Sequence, residues 1–287
     1  MRGPLGQRME IPRNLTDDIH ETRSPASSLV FVSAFIDLGP DPTDKTVDER
    51  LHHFHALASS GIRLLVFASP SYVDVLTKVS YSYSNVERVI PIVMHDLLTV
   101  QIIRAFPTLR LPTSLTTHKD TRAFLELMLA KIDFVHAAME HTDATHLAWI
   151  DFNIAHVFDS AQPLETLRHL SKRALKASFL AIAGIWDRAE SLEKASLLER
   201  VNWRFAGGFF LGDRASLERW YDLNCDALPL FLSQTNTLIW EVNFWAWLEQ
   251  TYPHSFRPYV YKSDHDASLV AVPFEFDTDD MKSDPPF

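Results

Sequence analysis

The sequence predicts an α/β domain whose mainly parallel sheet is flanked by helices, on three observations. Short apolar runs of strand length alternate along the chain with stretches of helical period, the mark of strand–helix–strand units. The 287 residues are 46% apolar, enough for a sizeable core in one globular body. The run Leu147 to Ile150 ends abruptly in Asp151, Phe152 and Asn153, so polar groups stand at the carboxyl end of a buried strand, where open α/β sheets keep their ligand crevice.

Residues 1–27 are rich in Arg, Pro, Asp and Ser without apolar periodicity and read as a flexible leader; the domain is expected over 28–273, with a loose acidic tail over 274–287. The first strand is Leu29 to Phe35, followed by a Gly/Pro loop from Ile36 to Pro42. A helix from Val47 to Ser60 leads to a second strand, Ile62 to Ala68, closed by Ser69-Pro70, and parallel pairing of the two strands is expected. A helix over Tyr72 to Tyr81 precedes a third strand, Val86 to Val93, in which Pro91 marks an edge, an end or a bulge. From Thr121 to His141 a single long helix is predicted, because Phe124, Leu125, Met128, Ile132, Val135 and Met139 fall on one stripe behind a Lys119-Asp120-Thr121 cap. It delivers the chain to the strand that ends at Asp151. Beyond that come a helix over Leu164 to Ala177, a strand over Phe179 to Ile185, and a strand from Trp203 to Gly212 broken by Gly207-Gly208. Helices over Arg214 to Leu230 and Thr237 to Glu249 and a short strand over Pro258 to Tyr261 follow. No internal repeat is found.

A net charge of −10 argues against wholesale nucleic-acid binding, which relies on a basic face. The single cysteine, Cys225, forms no internal disulfide and fits a reducing compartment. No apolar stretch is long enough to span a bilayer, and residues 1–23 lack the apolar core of a signal peptide, so a soluble, cytoplasmic protein is expected. His52, His53 and His55 lack the i, i+4 spacing of a zinc helix. Cys-X-X-Cys, Walker, dinucleotide-binding and Gly-X-Ser-X-Gly signatures do not occur.

Four sites carry chemistry. Asp151 and Asn153 are positioned to grip a hard cation and the phosphates it neutralises, although a strand-end Asp is also a common turn former or helix cap. Asn153 supplies an oxygen without charge, so an ion there is expected to be held more weakly than by two aspartates. Gly207 and Gly208 offer a wall free of side chains on which a sugar ring can lie, with Arg204 near it; a plain β-bulge is the alternative. Glu241 sits in about the first turn of the predicted Thr237 to Glu249 helix among Trp240, Trp245 and Trp247, where desolvation favours a general base and aromatic faces suit sugars; complementarity to the helix dipole explains the same residue. His265, between Asp264 and Asp266, is either a late metal ligand oriented by one of those carboxylates or a solvated surface histidine.

Taken together, Val30 to Phe35, Trp149 to Ile154, Arg204 to Phe210, the Trp240 to Trp245 segment and Asp264-His265 resemble the HtrL/YibB-type glycosyltransferase family over residues 29–270, and are more loosely similar to glycosyltransferases of large algal viruses that decorate capsid glycans. The resemblance implies a GT-A-like (Rossmann-like) single domain with a mixed, mainly parallel sheet. It implies an inverting enzyme, assisted by Mn²⁺ or Mg²⁺, that moves a sugar from a UDP-sugar to a glycan hydroxyl, with xylose as the leading donor sugar and, if viral, the host cytoplasm as its place. Ala34, Phe35, Ile36, Phe67 and Ser69 would surround base and ribose. Asp151, Phe152, Asn153, Arg204, Gly207 and Gly208 would line the rest of the donor site. Asp151, Asn153 and His265 would hold the metal, Glu241 would be the catalytic base, and Trp240 and Trp245 would receive the acceptor. Two other readings stay open: a non-catalytic carbohydrate- or nucleotide-binding protein on the same fold, and a nucleotidyltransferase.

Overall fold

The computed structural model describes residues 29–39, 45–112, 121–175, 178–194 and 196–273. The expected leader, the acidic tail and the cap residues Lys119 and Asp120 lie outside them. Seven strands form one sheet: β1 (Leu29–Phe35), β2 (Leu64–Ala68), β3 (Val86–Pro91), β4 (His146–Ile150), β5 (Leu180–Gly184), β6 (Phe209–Asp213) and β7 (Tyr259–Lys262). Their order is β3-β2-β1-β4-β6-β5-β7. Every pairing is parallel except those of β6, which runs antiparallel to both β4 and β5. The sheet is therefore mixed and mainly parallel, and Pro91, which cannot donate to a ladder, ends the edge strand β3.

Alternate residues of each strand point to opposite faces, and each face is roofed by helices. Val30, Val32, Trp149 and Phe210 pack beneath α3 (Leu98–Arg104), α4 (Arg122–Leu129), α5 (Lys131–Ala138), α8 (Arg214–Thr235) and α9 (Glu241–Thr251). Leu29, Phe31, Ala148 and Phe209 pack against α1 (Val47–Ser59), α2 (Val73–Ser80) and α6 (Gln162–Ser171). The start of α1 is set locally by a capping box, with the Thr46 hydroxyl accepting from the Glu49 amide and the Glu49 carboxylate accepting from the Thr46 amide.

Several elements differ from expectation. The predicted helix over 121–141 is two helices, because Ala130 (φ −80°, ψ 3°) leaves helical geometry between α4 and α5. Thr121 still caps the first of them, accepting from the Phe124 amide at 3.2 Å. The glycine pair lies just before β6 rather than inside it, and α3 and α7 (Arg188–Lys194), each seven residues long, are too short to show a period in sequence. No helix among the described residues is long and apolar enough to cross a membrane.

One buried acid links the fold to pH. Asp133 on α5 accepts from the Thr99 amide and hydroxyl at 3.0 and 2.9 Å. Burial pushes its carboxyl from 3.8 up to about 7, against the lowering effect of those two bonds. A folded-state value above the unfolded one means that the contribution of this group to stability is fully present below about pH 4 and is lost as pH rises through about 7. Asp133→Asn is expected to remove that slope, worth roughly 4 kcal/mol at most. Urea midpoints of both proteins at pH 5 and pH 8 test it; an unchanged slope in the variant refutes the assignment.

Candidate active site

Because β1, β2, β3, β4, β5 and β7 run the same way, their carboxyl ends share one edge of the sheet, and the reversed β6 begins there. The segments after β1, β2, β4, β5 and β7, together with Gly207-Gly208 before β6, are thus gathered from across the chain. Asp151 and the glycine pair meet directly, the Asp151 amide donating to the Gly208 carbonyl at 2.9 Å. Residues 114 positions apart, Asp151 and His265, come to this same edge.

At its centre is a lysine that the sequence reading did not single out. The break at Ala130 turns Lys131 inward until 1% of it is exposed. Its ammonium lies 2.8 Å from Glu241 Oε1 and 3.1 Å from Asp151 Oδ1, and it donates to the Gly207 carbonyl at 2.9 Å. An ammonium has three donors, and here each has an oxygen to face. Burial alone would push the lysine down; the Asp151 and Glu241 carboxylates outweigh it and hold the group above its ordinary value. Asp151 Oδ1 also accepts from Trp149 Nε1 at 2.7 Å. Glu241 reaches this cluster because it is the first residue of α9, 6% exposed. Gly207 makes room for it: a Cβ at 207 would collide with the Glu241 carboxylate and stand 3.3 Å from Lys131 Nζ. That close approach accounts for the glycine without a ligand. A Cβ at Gly208 would lie 3.1 Å from Ile154 Cδ1.

Next to this cluster a cavity of about 260 Å³ opens between the ends of β1 and β4. Ala34, Phe35, Ile36, Asp151, Phe152 and Asn153, expected from the sequence at a nucleotide site, all line it. Phe152 is stacked between Phe35 and Phe54, with ring centres 4.5 and 4.4 Å apart, which gives one wall a rigid aromatic backing. Lys45 and Arg50 give its lining two cations, and His156 adds an imidazole. His156 Nδ1 lies 2.5 Å from the Asn153 carbonyl, which can only accept, so Nδ1 carries the hydrogen. Burial lowers the His156 imidazole below its ordinary value; the Asn153 bond opposes this and Lys45 adds to it.

The residues fit a divalent cation in part. Asn153 Oδ1 is a buried oxygen without a hydrogen-bond partner, the atom a hard cation or a ligand hydroxyl would satisfy, and Asp151 adds the charge. His265 is a different matter. It is exposed, its backbone is left-handed (φ 60°), and its ring stands edge-on to Trp203 at 5.1 Å. Asp266 accepts from Ser268 rather than orienting the imidazole. Among the described residues no three His, Cys, Asp or Glu side chains are gathered as a metal site requires.

Several other expected site residues have structural partners. Arg204 is buried and forms a two-pronged ion pair with Glu249 (2.9 and 2.7 Å), its remaining arm donating to the Trp186 carbonyl; this pairing, not a donor contact, is its observed engagement. Trp245 is 1% exposed and packed among Phe205, Phe210 and Trp220, so it offers no platform to an acceptor. Trp240 is the buried residue preceding α9. Phe67 packs on Phe134 in the core, and Ser69 Oγ accepts from the Asp37 amide at 2.8 Å, ordering the loop below the cavity instead of lining it. A charged residue inside an otherwise apolar helical stripe, Lys131 between Ala130 and Ile132, was the only sequence sign of the central cluster.

No family model matches the chain, and no curated protein matches it either. Among solved structures it is similar to mouse xyloside xylosyltransferase 1 in its apo form, at 12% identity over 80% of this chain and 84% of that one, with a TM-score of 0.43. It is also similar to a CMP:2-keto-3-deoxy-manno-octonic acid synthetase complexed with CTP, at 10% identity over 82% and 89% of the two chains, with a TM-score of 0.40. Likeness of that degree assigns no activity, and the functional reading rests on the site.

Proposed function

We propose that the chain is a glycosyltransferase that takes a sugar from a UDP-sugar and passes it, with inversion, to a hydroxyl of a glycan acceptor. The observation that carries this reading is the aromatic cavity at the carboxyl edge, with Asp151 and Asn153 in its wall and the Lys131–Glu241 pair beside them. Stacked Phe35 and Phe152 give the cavity an apolar wall for a nucleoside, and Lys45 and Arg50 suit a diphosphate. A bound Mn²⁺ or Mg²⁺ would be held by Asp151 and Asn153 and would neutralise charge developing on the departing diphosphate. Glu241, its carboxylate held in the cluster by Lys131, takes the proton of the attacking hydroxyl in this reading. Xylose is the donor sugar placed first, on the looser likeness to algal-virus glycosyltransferases alone, ahead of glucose and galactose.

Titration calorimetry with UDP, with and without Mn²⁺, is expected to show binding that the ion strengthens; UDP that fails to bind under either condition refutes the reading. A second reading, a non-catalytic binding protein, draws support from Glu241 Oε1 already being bonded to Lys131. Hydrolysis of a UDP-sugar by the purified protein separates the two.

A further inference from the structure

The two oxygens of Asp151 are not equivalent. Trp149 and Asp151 stand two residues apart at the end of β4, so their side chains share one face of the sheet, and the Trp149 indole Nε1 donates to Asp151 Oδ1 at 2.7 Å. The Lys131 ammonium lies 3.1 Å from the same oxygen. Both donors are buried, whereas the Asp151 side chain is 35% exposed. Oδ1 therefore points into the protein with its two lone pairs engaged, and the open side of the carboxylate is that of Oδ2. No donor among the described residues reaches Oδ2. A Cβ at Gly208 would stand 3.7 Å from it, so the glycine leaves its approach clear. Asn153 Oδ1, also without a donor, belongs to the same cavity wall.

The indole is itself held. Trp149 stacks on Phe134 and Phe210, with ring centres 5.8 and 6.5 Å apart, and β4 is paired on both sides, by β1 and β6. The Asp151 backbone is tied as well, through its amide bond to the Gly208 carbonyl at 2.9 Å. Rotation of the carboxylate would break a bond to a donor that cannot follow it. A carboxylate that binds a cation is commonly oriented in this way, by a hydrogen bond to a rigid group behind it. A buried indole also needs an acceptor for its N–H, so the same bond would serve a purely structural pair. The two roles differ in what they predict for a cation.

We infer that Trp149 is a positioning residue, whose N–H turns Asp151 so that Oδ2, together with Asn153 Oδ1, is presented to a divalent cation. The inference rests on the cation site of the transferase reading and adds the residue that orients it. Trp149→Phe tests it, because phenylalanine keeps an aromatic ring in the core and removes the donor, while Lys131 leaves the charge of the site unchanged. Mn²⁺ alone is titrated into the full chain, with unbound ion read by electron paramagnetic resonance, and UDP is titrated separately without metal. Mn²⁺ affinity is expected to fall about ten- to hundredfold in the variant, as on removal of the hydrogen-bond partner of a metal ligand. UDP affinity without metal should stay within about threefold, because the cavity wall remains aromatic. A purely structural N–H predicts no such selective loss. Should the variant not fold, the unsubstituted chain still decides: its Trp149 indole N–H resonance is expected to move when Mg²⁺ is added, since the acceptor carboxylate gains a cation on its other oxygen. Four results each overturn the inference: Mn²⁺ affinity within about threefold in folded Trp149→Phe, an equal fall in UDP and Mn²⁺ affinity, an indole resonance that Mg²⁺ leaves in place, or no Mn²⁺ bound by the unsubstituted chain. UDP that fails to bind with or without Mn²⁺, while Mn²⁺ binding depends on Trp149, counts against the transferase reading and leaves the positioning role standing, so the two failures are distinguishable.

Discussion

Glu241→Gln is expected to lower sugar transfer by about two to four powers of ten while leaving UDP affinity within a few-fold of the original chain, as removal of a general base does. The isosteric amide keeps an oxygen for the Lys131 ammonium at the 2.8 Å position, so the geometry around Gly207 is retained while the proton acceptor is lost. This matters because Glu241 has two candidate roles: it can receive a proton, or it can merely anchor Lys131. An anchor needs only an acceptor oxygen, and glutamine supplies one. Turnover within tenfold of the original, measured on protein whose urea midpoint shows it folded, would therefore remove Glu241 from the chemistry and leave it as a structural partner.

Lys131→Met should have the largest effect on stability, a loss of about 3–5 kcal/mol, because breaking one side of a buried ion pair leaves its partner without a counter-charge. Two carboxylates depend on this ammonium: Glu241, whose side chain is 7% exposed, and Asp151, at 35%. The Gly207 carbonyl loses its donor as well. Methionine fills nearly the same volume, so a cavity contributes little and the measured loss reports the unpaired charge. Adding Glu241→Gln to Lys131→Met should return part of the loss, since the most buried of the stranded charges is then absent. Urea denaturation of the two single variants and the double variant gives the coupling; a single Lys131→Met variant within about 1 kcal/mol of the original would show that the cluster does not hold the edge together.

Much of the frame was legible because it is written in local pattern. The strands at Leu29 to Phe35 and Leu147 to Ile150 are continuous apolar runs, and the structure places β1 and β4 there side by side. Asp151 and Asn153 stand beyond the end of β4, and Ala34, Phe35 and Ile36 share a cavity with them, because a parallel sheet brings the carboxyl ends of its strands to one edge. Pro91 at an edge was legible for a similar reason, since a missing donor restricts where a residue can pair.

The rest was decided by partners distant in sequence. Arg204 reads identically whether it reaches a ligand or, as here, Glu249, 45 residues on. A tryptophan near a helix start reads as a sugar platform or as core; the packing of Trp245 against Phe205, Phe210 and Trp220 settles which.

By itself the chain determined its alternation of strands and helices and the polar end of its fourth strand, both properties of neighbours in sequence. Only the folded molecule decided that Lys131 stands between Asp151 and Glu241, 110 positions from the latter. An apolar stripe interrupted by one lysine has the same periodicity whether the ammonium reaches water or is buried. Burial becomes tolerable only when three oxygens from separate elements converge on it, and that convergence is a property of tertiary packing.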